Sequence, residues 1–158
     1  MEKTVAIATI ALLLHSLSAV LWVGGMFFAH QILRPAALSL DAGTRLELWL
    51  RVLSRFFAWV IAAIVLIFVS GFAMVYGVFG GFEGIGMHVD LMAALGIVMM
   101  LIFFHVYFAP FRRFRAAVGR RDWAVAARQL AQIRVLVGVN LVLGLITVAI
   151  ATSGPYWA

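Results

Sequence analysis

The sequence predicts an all-α polytopic membrane protein, an antiparallel bundle of four transmembrane helices. Composition is the first reason: 66% of the 158 residues are hydrophobic and only 11% charged, and the mean hydropathy of +1.13 lies outside the range of soluble domains. The distribution of charge is the second. No Lys, Arg, Asp or Glu occurs between Lys3 and Arg34, between Arg55 and Glu83, between Asp90 and Arg112, or after Arg134. Each gap can cross a bilayer, since a helical span needs about 20 apolar residues. The third is where the basic residues collect. Eleven of the twelve lie in two connections, Arg34 to Arg55 and Arg112 to Arg134, which fall on one side of a four-helix topology.

The chain is expected to be a single transmembrane domain, 1–158, with helices near 5–31, 56–78, 87–109 and 135–152. The first is expected to be a retained span rather than a signal peptide. Its apolar run is long, Glu2 accompanies Lys3, and no small-residue cleavage site follows. Pro35 ends it. Asp41 is placed to cap an amphipathic segment, 42–54, with Leu46, Trp49, Leu50 and Leu53 on one face and Glu47 and Arg51 at i,i+4. The second and third spans are joined by the short glycine-rich stretch GVFGGFEGIGM, too small for a domain of its own. Asp122 is placed to cap a second amphipathic segment, 122–133, carrying Trp123, Ala126, Leu130 and Ile133 on one side. Both segments are expected to lie on the cytoplasmic leaflet of a bacterial inner membrane. The positive-inside rule puts both termini on the periplasmic side.

These placements exclude several functions. The isoelectric point near 11.1 comes from residues that orient helices against anionic lipid, so the basic charge implies a lipid bilayer as partner and no nucleic acid. The chain has no cysteine, which removes disulfides, thiolate metal sites and cysteine nucleophiles. Chemistry must therefore sit within the bundle or at its edges.

Four histidines occur in or beside the spans: His15 and His30 on the first, His88 and His105 on the third. An ionisable side chain inside a membrane is expensive and usually faces the bundle interior. At 100° per residue His15, Ser18, Trp22, Gly25, Met26 and Ala29 form one stripe, with His30 about 60° off it. On the third span the stripe through His105 runs Met87, Leu91, Ala94, Val98, Leu101, with Asp90, read as a boundary carboxylate, to one side. Asn140, Gly144, Thr147 and Ala151 give the fourth span a small, weakly polar face. Of the five tryptophans only Trp22 lies away from the expected interfacial belt.

Two parallel helices with paired histidines could ligate the iron of haem b from both sides of the ring, with His30 and His105 as the inner pair and His15 and His88 as the outer. Arg34, one turn after His30, could then meet a haem propionate. A membrane redox or electron-transfer role follows, with the redox partner or quinone left open. The alternative is copper: Met87, His88 and Met92 cluster at the start of the third span, and thioether plus imidazole suits Cu(I), with Met26 extending the path. A third class is a cofactor-free interaction protein whose histidines are satisfied by hydrogen bonds between helices, such as His15 to a serine or to Asn140. Gly138 and Gly144 would favour close contact in a homodimer.

The stretch LHSLSAVLWVGGMFFAHQILRPAAL resembles the first helix of the copper-resistance protein D (CopD) membrane family, with its histidine, W-x-G-G and R-P elements. MHVDLMAALGIVMMLIFFHVYF resembles the third helix of the related membrane protoporphyrinogen oxidases (HemJ-type), departing from them at Asp90, where they have lysine. The resemblance implies a small helical membrane protein that handles copper or binds haem b. The matching positions are His15, Trp22, Gly24, Gly25, His30, Arg34 and His105.

Overall fold

A computed structural model describes residues 2–81, 83 and 85–157, so Phe82 and Gly84 of the glycine-rich connection lie outside the described residues. Every regular element is helical: α1 (Glu2–Phe27), α2 (Arg34–Ala36), α3 (Ala42–Gly77), α4 (Met87–Val106), α5 (Arg112–Gly119) and α6 (Trp123–Ser153). Four continuous helical rods result, Val5–Ser39, Ala42–Gly77, Met87–Gly119 and Trp123–Tyr156, and each is apolar and long enough to cross a membrane. The protein is a multi-pass membrane protein.

Two rods change helical register where proline interrupts them. A π-turn at Phe28–Leu33 joins α1 to α2, which contains Pro35, and a second at Tyr107–Phe111 contains Pro110 and joins α4 to α5. Proline has no N–H for the carbonyl four residues back. A π-turn shifts the acceptor by one residue, so the amide after the proline can take that carbonyl, and the rod continues instead of breaking.

The rods pair as antiparallel neighbours. α1 packs chiefly along α3, with His15 beside Ser70 and Gly25 beside Phe56. α4 packs chiefly along α6, with Met99 beside Asn140 and His88 beside Gly154. α1 also meets α6, and α5 closes the bundle at the basic end by lying against α6 and α3.

The sequence draws the amphipathic segments 42–54 and 122–133 as separate pieces on the leaflet surface. In the structure they are the first turns of α3 and α6. The caps are as expected, with Asp41 Oδ1 accepting from the Thr44 amide and Asp122 Oδ1 from the Val125 amide. The apolar faces are also as expected, but they bury against protein. Leu46, Trp49 and Leu53 join Ala126, Leu130 and Ile133 and the α5 residues Phe114, Ala117 and Val118 in one core. Another helix removes these faces from water more completely than the interface would, so the rods stand upright. At the centre of this core Phe57 is 1% exposed and meets Phe103 and Phe111 edge-on, with centroids 5.4 and 4.8 Å away.

Candidate functional site

Small residues on and just after α6 let side chains of the neighbouring helices approach its backbone. At one end His88 lies against Gly154, where any Cβ would overlap the His88 side chain. In the middle a Cβ on Gly144 would stand 2.8 Å from Val23 Cγ2 and 3.1 Å from Met99 Cε. Toward the basic end a Cβ on Gly138 would stand 3.1 Å from His30 Nε2. Three glycines, of which only Gly144 belongs to the small face expected from the sequence, thus seat two imidazoles and one thioether at three levels.

The face that α4 turns inward differs from the expected one. Met99, Phe103 and Val106 are buried, whereas Met87, Leu91, Val98 and Leu101 are exposed, as are Ala94 and His105. Both faces of this helix are apolar, and lipid is as apolar as a bundle interior, so hydrophobicity does not tell them apart. The inward stripe runs His88, Met92, Met99, Phe103, Val106. His88 and Met92, one turn apart, share it and are half-buried, while Met87 points about 100° away and is 67% exposed.

The α1 stripe is as expected: Ser18, Trp22, Met26 and Ala29 are buried. Trp22 packs edge-on against Phe103 at 6.2 Å and helps to close the core. Below Met99 a small hollow is lined by Trp22, Met26, Phe103 and Asn140. Its free volume is about 10 Å³, roughly the room a single water-sized sphere requires. Asn140 Nδ2 donates to the Met99 carbonyl at 3.2 Å, while its buried Oδ1 has no partner. An unpaired carbonyl oxygen in such surroundings is costly and available to a cation or a donor. A second hollow, of about 20 Å³, is lined by His30, Arg34, Trp49 and Arg134 and shares Phe56 and Val137 with the first.

His15 is held apart from this column. Its Nδ1 lies 3.1 Å from Ser70 Oγ, and Ser70 Oγ donates its one proton to the Leu66 carbonyl at 2.5 Å. Ser70 must therefore accept from His15 Nδ1–H, which leaves the lone pair on Nε2. The expected serine partner is present, while Asn140 bonds elsewhere. Ser70 and Met99 were not singled out in the sequence. Met99 shares the phase of His88 and Met92, which was the available signal.

The pairing expected for haem does not form. His30 faces α6 across Gly138, whereas His105 is exposed on α4, and the space between the helices is filled by Trp22, Phe57 and Phe103. The outer pair is likewise split, with His15 on Ser70 and His88 on Gly154. Hollows of 10 to 20 Å³ hold no porphyrin, so these residues do not fit haem b. Among the described residues no three His, Asp or Glu side chains cluster as a metal site.

Four antiparallel rods, each apolar and long enough to cross a membrane, with Met26 and Met99 buried and His30, His88 and Met92 half-buried among them, define a small helical multi-pass membrane protein. Residues 50–153 match the family described as Copper resistance protein D, and the chain belongs to that family. No curated protein and no solved structure matches it.

Proposed function

We propose that this protein carries Cu(I) between the two sides of a bacterial inner membrane. The path runs from His88 and Met92 past Met99 to Met26 and Asn140 and ends at His30. Copper is the cargo, and its oxidation state does not change along the way. Thioether and imidazole groups select Cu(I) over harder cations. By helical rise His88 and Met92 are separated by about 6 Å and Met92 and Met99 by about 10 Å, distances that flexible methionine side chains divide between them.

The observation that carries the proposal is the succession of His88, Met92 and Met99 along one face of α4, continued toward the basic end by buried Met26 and by His30 beside Gly138. The family match supports the choice of metal. The basic end would face the cytoplasm by the positive-inside rule.

The test is Cu(I) uptake into proteoliposomes loaded with a Cu(I) chelator. Replacing Met26 and Met99 by leucine keeps volume and removes sulfur, so the fold should persist. Uptake should fall roughly tenfold or more, as expected when a metal path loses ligands. Wild-type protein that passes no copper, or a Met26→Leu/Met99→Leu variant that passes it at the wild-type rate, would refute the proposal.

A further inference from the structure

At the basic end Arg34 of α2 and Arg134 of α6 come together at one crevice, with Arg45 of α3 near enough for its charge to act on Arg134. The charge of Arg34 acts on Arg134 as well. Arg45 gives one N–H to the Leu40 carbonyl at 3.4 Å. Among the described residues no carboxylate forms an ion pair with any of the three, and Glu47 is engaged by Arg51 at 3.5 Å. Like charges gathered at one crevice repel, and an anion bound among them offsets that repulsion.

The crevice beneath them is built for more than charge. His30 stands in its wall with Nε2 directed at the Gly138 backbone, and its floor is the buried apolar surface of Trp49, Leu53 and Ile133. Outside it the π-turn after α1 and helix α6 present exposed Phe28 and Val135. A cationic rim above an apolar floor at the end of a membrane bundle matches an amphiphile whose anionic head is a phosphate. Guanidinium forks suit phosphate oxygens in a way that single ammonium groups do not.

We propose that Arg34, Arg45 and Arg134 form a binding site for a phosphate group, supplied by an anionic phospholipid headgroup or by a phosphate from solution. Other arginines here, such as the exposed Arg113 on α5, serve as general surface charge and lie outside the site. The proposal is independent of copper passage.

The experiment is native mass spectrometry of the full chain in detergent, with phosphatidylglycerol, phosphatidylcholine and inorganic phosphate as probes. Affinity for phosphatidylglycerol should exceed that for phosphatidylcholine. It should fall about fivefold for each guanidinium removed in Arg34→Gln and Arg134→Gln, the worth of one basic residue at an anionic surface, and should hold in Arg113→Gln. Arg34 is exposed and its replacement leaves the core intact, so a loss in that variant reports binding rather than folding. If inorganic phosphate displaces the lipid and that competition fails in the same two variants, the site stands and its ligand is a soluble phosphate. Equal binding of phosphatidylcholine, or equal losses in Arg113→Gln and Arg134→Gln, would overturn the proposal.

Discussion

At the basic end of the bundle Phe57, Phe114, Val106 and Ile133 are each no more than 2% exposed, while at the opposite end Leu12, Leu13 and Leu14, consecutive on α1, are all exposed. There the buried side of α1 is made of small or polar residues such as Ala11, His15 and Ser18, with His15 meeting Ser70 of α3. Rod length explains the difference. α3 has 36 residues, about 54 Å at 1.5 Å per residue, against a hydrocarbon thickness of about 30 Å. With the arginine-rich connections taken as the bilayer boundary, Leu46, Phe114 and Ile133 would lie beyond the lipid, where water drives apolar faces together. In the lipid, burial yields no such gain, and contact rests on close backbones and a few polar pairs. One chain therefore uses two kinds of packing along its length.

The sharpest way to break this comparison is at Phe57. Phe57→Ala empties a site closed by Phe103 and Phe111 and should cost about 3 kcal/mol. Leu17→Ala shortens a side chain that is 59% exposed and faces lipid before and after unfolding in the membrane, so it should cost within about 0.5 kcal/mol of nothing. Unfolding in mixed micelles, followed by tryptophan fluorescence, measures both. Equal costs would mean that the two halves are packed alike.

The same contrast explains what could be read from the sequence. The four spans, both aspartate caps and the buried α1 stripe were legible, because charge gaps, cap residues and a polar serine on a helix face are local signals. The inner face of α4 was not. Its two sides are equally apolar, and choosing His105 as an inward residue set the phase wrong by more than half the face. The upright posture of 42–54 and 122–133 was hidden for a related reason, since an amphipathic pattern says that a face is covered and not whether lipid or protein covers it. Trp49 and Leu130 carry the same pattern under either outcome. As for the site, His88, Met92, Met26 and His30 could be named as candidates, but the alignment of Met99 with Asn140 depended on the register between α4 and α6.

A smaller effect sharpens the comparison from the lipid side. His15 and Ser70 form a polar link between α1 and α3, and such links inside membranes are worth about 0.6 kcal/mol on average. A double-mutant cycle with His15→Ala and Ser70→Ala should return a coupling of about that size. A coupling near 3 kcal/mol would make this pair as strong as a core aromatic and remove the distinction between the halves.

The smallest expected effect lies at the outermost turn of the basic end, where Asp41 caps α3. Hydrogen bonds from the Thr44 side chain and amide hold its carboxyl below the usual range, so the folded cap favours the ionised form. The sign follows: the cap's contribution is complete above the unfolded value of about 3.9 and is lost as pH falls through the lower folded value. Asp41→Asn keeps an oxygen that can accept from the Thr44 amide and removes the titration. Hydrogen exchange at the Thr44 and Arg45 amides should therefore speed up on acidification in the wild type, once each rate is referred to that of an unstructured chain at the same pH, and stay level in Asp41→Asn. Because the core of this end begins only at Leu46, the change should stop within the first turn. Acid-induced exchange that spreads to Trp49 and Leu53 would show that the cap and the core form one cooperative unit.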